Sequence, residues 1–335
     1  MKAMIMERIV DLREEDEPLN FVDLPDPEPA AGEVLLEVHA CGVCHTEIDE
    51  LEGRTAPPRL PVVPGHEVIG RVVELGDNVH THRLNDRVGV GWIHHSSGGR
   101  DENLSPQFVA TGRDVNGGYA QLMTVPADYA FAIPEDFSDA QAAPLLCAGA
   151  IGHRALKLTG LEDGQRLGLT GFGGSAHLVV QLARRRFPSC EIYVFARDAG
   201  ARAHAESLGA AWTGETGDRA PHLLDAIIDT TPAWTPVVAA LANLKPGGRL
   251  VINAIRKEEA DKEALLSLSY HEHLWLEREI KSVANITGLD ITEFLQAAAE
   301  FSIKPEVETF PLRQANRALV ELKREPVRGA KVLLI

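Results

Sequence analysis

Cys44, His66 and Cys147 are the side chains of this sequence best suited to hold a reactive metal. A catalytic zinc site takes thiolate and imidazole ligands from the protein and keeps one position open for water or substrate. These three residues make a Cys₂His set, and Glu67, next to His66, is a carboxylate that could orient a ligand or briefly coordinate the ion. Each residue also has a plainer reading. A single cysteine is most often a small core hydrophobe, and a lone histidine is usually only hydrogen-bonded. Cys41-x-x-Cys44 has redox-pair spacing, but no thioredoxin-like strand–helix context follows it. A structural zinc on that pair would need a second nearby pair, which the sequence lacks.

A second pattern lies about 25 residues after Cys147. The apolar stretch Arg166–Thr170 runs straight into Gly171-Phe172-Gly173-Gly174-Ser175-Ala176 and then a helical stretch, the G-x-G-x-x-G/A arrangement of dinucleotide sites. Gly171 makes the tight turn, Gly173 lets the backbone approach a pyrophosphate, and Ala176 lets the helix pack close to the strand. Gly174 and Ser175 open the helix, whose N–H groups and positive dipole face the phosphates. The next apolar run, Ile192–Ala196, ends on Ala196 where an NAD site usually carries an acid. Arg197 follows and could meet a 2′-phosphate, which favours NADP over NAD. In the other reading Arg197 is solvated and Asp198 binds the ribose.

Elements of two kinds must position these groups. The first third is rich in valine, glycine and proline, with alternating segments such as residues 33–38, 68–75 and 87–90, and reads as a mostly antiparallel β domain with long loops. From about residue 150, apolar runs at 166–170, 192–196, 226–229 and 249–253 alternate with helical stretches, which predicts a parallel sheet covered on both faces. The last fifty residues return to the first pattern. The division is therefore 1–148 with 284–335 and, inserted between them, 149–283.

The 335 residues carry a net charge of −16, which disfavours nucleic acid or an anionic membrane as partner. No apolar run is long enough to span a bilayer, and acids at 11, 14, 15 and 16 interrupt any signal-peptide core, so the expected place is the cytoplasm. Four cysteines are too sparse for a disulfide scaffold.

Taken together the motifs resemble the zinc-dependent alcohol dehydrogenases of the medium-chain dehydrogenase/reductase superfamily. The stretches concerned are Gly42-Val43-Cys44-His45-Thr46-Glu47, Pro64-Gly65-His66-Glu67, Asn85-Asp86-Arg87-Val88, Gly117-Gly118-Tyr119-Ala120, Leu146-Cys147-Ala148-Gly149 and Gly171–Ala176, in family order over essentially the whole chain. The resemblance implies an α/β protein, with a GroES-like β-rich catalytic domain, a Rossmann doubly wound parallel sheet and the active site in the cleft between them. It also implies Cys44, His66 and Cys147 as zinc ligands, Thr46 as the hydroxyl that takes the substrate proton, and His45 near the cofactor pyrophosphate. Glu47 would support the zinc ligands, Trp92 would narrow the substrate pocket, and a dimer or tetramer would form through the edge of the Rossmann sheet.

Two departures from the family pattern matter. Relatives often carry a second, structural zinc on four cysteines, but residues 92–105 contain none and have Ser105 at the last ligand position, so one zinc per chain is expected. His94 and His95 read as loop residues, and His271 and His273 as part of a helical segment. Asp49 stands where many relatives have a relay histidine. Arg328 is the candidate partner for the supporting acid. The expected reaction is interconversion of small to medium primary alcohols and aldehydes. Alternatives are a polyol or sugar dehydrogenase, a zinc-free quinone or enoyl reductase of the same fold, and a non-catalytic relative.

Overall fold

The computed structural model describes residues 1–325 and 328–335. The chain divides into two units, Met1–Ala150 with Ile286–Glu300 and Lys304–Ile335, and Ile151–Asn285 with Phe301–Ile303. Among the described residues no helix is long and apolar enough to cross a membrane.

The first unit is organised around one long strand. In β1 (Glu33–Val43), residues 34, 36, 38 and 40 are all buried, as alternation demands of a strand facing a core. It is followed by the short helix α1 (His45–Leu51) and pairs antiparallel with β2 (Val68–Leu75). The sheet continues through β3 (Arg87–Val90), with β4 (Leu122–Pro126) paired to the first half of β1 and β5 (Phe131–Ala132) to β3. The second half of β1 pairs with the C-terminal strand Ala330–Leu334, so the tail closes the sheet begun near the N-terminus. In the β1–β2 ladder Cys41 lies opposite Val68. That register puts the end of β1, just before Cys44, beside the start of β2, just after His66 and Glu67.

The second unit is a six-stranded parallel sheet. Its strands are β6 (Arg166–Thr170), β7 (Glu191–Phe195), β8 (Trp212–Gly214), β9 (Leu224–Asp229), β10 (Leu244–Ile252) and β11 (Glu279–Ser282), in the spatial order β8-β7-β6-β9-β10-β11. Helices α2 (Gly174–Arg186) and α3 (Ala199–Ser207) follow β6 and β7. The chain proceeds outward from β6 to β7 and β8, then returns to place β9 on the other side of β6. This is the switch point of a doubly wound sheet, where ligands bind beyond the carboxyl ends of the strands. Tyr193, Phe195, Leu224, Ile227, Leu241 and Leu250 are buried together beneath it, each full burial of such a side chain being worth about 1.5–3 kcal/mol.

Candidate active site

Cys44 is the residue at which β1 becomes α1. Its sulfur accepts the Thr46 N–H at 3.4 Å, and Glu47 reaches back so that Oε2 accepts the Cys44 N–H at 2.9 Å, a reciprocal cap that fixes the start of the helix. His66 and Glu67 arrive from the loop before β2, and Cys147 from the turn after the buried Leu145 and Leu146. The ligand atoms of Cys44, His66, Glu67 and Cys147 all lie within 4.8 Å of one another, and the two sulfurs are 3.9 Å apart. Four residues from three stretches of sequence thus meet at one point.

The surroundings suit a cation. Glu47 Oε1 lies 2.5 Å from His66 Nδ1, which leaves Nε2 as the nitrogen for an ion; that Nε2 has no hydrogen-bond partner among the described residues. His66, Glu47 and Glu67 are buried, whereas both thiols are partly exposed. Gly42 is required here, because any Cβ on it would collide with the Glu67 carboxyl.

Electrostatics without an ion are those of a crowded anionic cluster. The Cys147 contact pulls the Cys44 thiol well below its ordinary range against the effect of burial, with His66 adding to the pull, while the same contact and burial push Cys147 well up. Burial disfavours charge on His66, but Glu47 and Cys44 outweigh it and raise the imidazole well above its usual value. Burial, then the negative Cys44, raises Glu67; burial, then Glu47, raises Glu50. Such donors bind a divalent cation in their deprotonated forms, so ion and proton would compete for them.

Other expected residues fall around this centre. Thr46 Oγ1 is 3.4 Å from Cys44 Sγ. The Trp92 ring stands edge-on to His66 at 6.3 Å and packs on Phe108 at 5.6 Å. Asp49, one turn of α1 beyond Thr46, accepts a 2.5 Å hydrogen bond from Arg54 Nε, and burial raises its carboxyl despite that guanidinium. Arg328 requires a correction. It is exposed and donates to Glu306 at 2.6 Å, while the Glu47 carboxylate is taken up by His66 and the Cys44 N–H. The sequence reading also missed Glu50, buried on α1, whose burial no motif signals.

The lobe after Trp92 is tied down without cysteine. Strand Ile93–His95 pairs with Val109–Ala110. The buried Glu102 accepts from Tyr129 Oη at 2.9 Å and from the Gly288 N–H at 2.7 Å, and Ser96 Oγ donates to the Glu102 carbonyl at 2.6 Å. His94 is partly buried, which lowers its basicity, and His95 is exposed with its ring against Tyr129. His271 and His273 sit in one wide helical turn, Tyr270–Leu274, where His273 Nδ1 accepts from the Ser269 N–H at 2.8 Å.

In the second unit the glycine loop takes its expected form. Gly171 has φ +77°, and its N–H donates to the Phe195 carbonyl at 2.9 Å. A side chain there would be strained and would press on Thr230 and Thr231 at 2.9 Å. No protein atom lies within 4 Å of where a Gly173 Cβ would stand, leaving room for a phosphate, and Ala176 is buried against the sheet. At the end of β7 Ala196 is buried, Arg197 is exposed, and Asp198 caps α3 by accepting the Ala201 N–H at 2.7 Å. Arg202 donates to the carbonyls of Ala196 and Arg197 at 2.6 and 2.9 Å.

Residues 30–135 match the family described as Alcohol dehydrogenase GroES-like domain. The chain is 43% identical, over 95% of its length and 93% of the relative's, to a probable alcohol dehydrogenase, AdhA, of Mycobacterium tuberculosis (strain CDC 1551 / Oshkosh). It belongs to the medium-chain alcohol dehydrogenases. An alcohol dehydrogenase of Geobacillus stearothermophilus is 30% identical over the whole of both chains. Among solved structures, a cinnamyl alcohol dehydrogenase (SbCAD4) from Sorghum bicolor superposes with a TM-score of 0.83 at 27% identity, covering 99% of this chain and 96% of that one. This dehydrogenase is accordingly a nicotinamide-dependent oxidoreductase of small-molecule alcohols and aldehydes, and its two sheets are the GroES-like and Rossmann halves of that fold.

Proposed function

We propose that this enzyme interconverts small to medium primary alcohols and aldehydes with NADP, using one zinc ion per chain held by Cys44, His66 and Cys147. The observation that carries the reading is the meeting of those three ligand atoms, with Glu67 beside them and Glu47 on the far nitrogen of His66. When bound, zinc supplies a Lewis acid for the substrate oxygen, and the nicotinamide ring takes up or gives the hydride. The residues do the rest. Two thiolates and a neutral imidazole temper the ion's charge, and Glu47 holds the imidazole in the tautomer that leaves Nε2 for the metal. Thr46 Oγ1 takes the alcohol proton. Asp49, its carboxyl made more basic by burial and kept in place by Arg54, is the station beyond it. Trp92 and Phe108 form an aromatic wall that suits a carbon chain or ring rather than a polyol.

For the cofactor, Ala196 brings no acid to meet a ribose, Asp198 is spent on capping α3, and Arg197 is exposed and cationic. These facts favour a 2′-phosphate; the family resemblance makes His45 the candidate near the pyrophosphate. One zinc follows from the donor sets: the lobe at 92–105 has no thiolate, and Glu102 engages the groups that close it. We further infer a dimer or tetramer in the cytoplasm. The thiol ligands call for a reducing compartment, and the edge strand β11 is exposed at all four residues, with Ile280, Trp275, Leu276 and Tyr270 exposed on it or just before it.

The deciding experiment is metal analysis of the pure protein together with ethanol and benzyl alcohol oxidation using NADP and NAD. About one zinc per chain, activity lost in Cys44→Ser and a preference for NADP are expected. Two zincs would overturn the reading of the lobe, and reductase activity without zinc would overturn the mechanism.

A further inference from the structure

The carboxyl ends of β6 and β9 meet at the switch point of the parallel sheet, and a buried ion pair braces them. Asp229, the last residue of β9, is fully buried. Its Oδ1 accepts from Thr170 Oγ1, the last residue of β6, at 2.5 Å and from Thr231 Oγ1 at 2.8 Å. Its Oδ2 accepts from Lys257 Nζ, whose side chain is only 8% exposed.

The same ammonium donates to the carbonyls of Thr231 at 2.7 Å and Ala233 at 3.0 Å, so its three N–H groups are all used. Two backbone bonds reinforce the strap from β10: Asn253 N–H to the Asp229 carbonyl and Glu258 N–H to the Pro232 carbonyl, both 2.7 Å. The loop fixed in this way, residues 230–233, is the wall of the glycine turn. Thr230 and Thr231 are the residues a Gly171 side chain would strike, and Thr230 donates to the Thr170 carbonyl through both N–H and Oγ1.

We propose that Lys257 is a positioning residue for the dinucleotide: it touches no reacting atom, but holds loop 230–233 against Gly171 and so sets the shape of the pyrophosphate turn. A buried lysine is costly in a sheet end that leucine or methionine could fill. Three acceptors aimed at one amine, two of them carbonyls of the loop that borders the phosphate site, give that cost a purpose. The proposal rests on the reading that Gly171–Ala176 hold the cofactor.

The test is NADPH fluorescence titration and steady-state kinetics of the zinc-loaded enzyme, with melting temperatures recorded alongside. In Lys257→Met the Kd for NADPH and the KM for the cofactor should rise about tenfold or more, while kcat falls much less and zinc content stays the same. Because that variant strands a buried carboxylate, Lys257→Met with Asp229→Asn is the second arm. It should recover melting temperature without recovering affinity. An unchanged Kd in Lys257→Met overturns the proposal, and so does affinity that returns with stability in the double variant. Binding of neither NADPH nor NADH to the unaltered enzyme overturns the assignment of the loop itself, and the proposal with it; if NADH alone binds, the same titrations are read with NADH.

Discussion

Glu47 Oε1 stands 2.5 Å from Nδ1 of His66, while its other oxygen takes the N–H of Cys44. One buried carboxylate therefore touches two of the three proposed metal ligands at once, from a position on α1 that its own capping bond creates. Neutralising it keeps the shape but removes the acceptor strength. Glu47→Gln should weaken zinc binding about 10- to 100-fold, the usual consequence of losing such a partner. Competition with a zinc chelator measures this. Zinc affinity equal to that of the unaltered enzyme would show that Glu47 only caps the helix.

The cofactor reading predicts a switch at the end of β7. Asp198 cannot turn to a ribose without uncapping α3, so an acid must be placed one or two residues earlier. Ala196→Asp combined with Arg197→Gly should move the NADP/NAD ratio of kcat/KM toward NAD by about tenfold or more. A ratio that stays put would mean that neither residue faces the adenosine ribose.

The candidate metal ligands stand out in the sequence because cysteine and histidine have few roles and stand in short local motifs, and the fold brings Cys44, His66 and Cys147 together; the β6–glycine–helix run is likewise local. The return of the tail to the first sheet was also readable, since Lys331–Leu334 repeats the apolar pattern of β1, its neighbour in the sheet. What the sequence hid is pairing over distance. Glu102 meets Gly288 186 positions away, and Lys257 meets Asp229 28 away, each through a single side chain with no periodic signal. Arg328 was misassigned for the same reason: it lies two residues before the C-terminal strand, and its exposed guanidinium pairs with Glu306.

Acid stability should depend on Asp139. Burial works to raise its carboxyl, but hydrogen bonds from Arg87 at 2.8 Å and His39 at 3.0 Å outweigh that and hold it below its ordinary 3.8. A carboxylate held low in the folded state stabilises fully above the unfolded value and loses that contribution as pH falls through the folded one. Asp139→Asn should therefore cost about 1–2 kcal/mol at pH 7, with the gap closing progressively below about pH 4. Melting temperatures of both proteins from pH 7 down to 3 would show it. A gap that is constant with pH would assign the effect to packing instead.

The cysteine-free lobe offers a last test, because its closure runs through one carboxylate. Glu102 receives Tyr129 Oη and the Gly288 N–H, and burial together with Glu102 pushes the Tyr129 hydroxyl up to about 12, so Tyr129 stays a donor over the whole working range. Glu102→Ala leaves a buried hydroxyl and a helix-start N–H without their acceptor. The cost should be about 2–3 kcal/mol, and residues 96–105 should become the preferred site of limited proteolysis. Zinc content should stay at about one per chain, as expected for a lobe that holds no metal. A fall in zinc content that tracks cleavage of the lobe would instead reveal a second ion there.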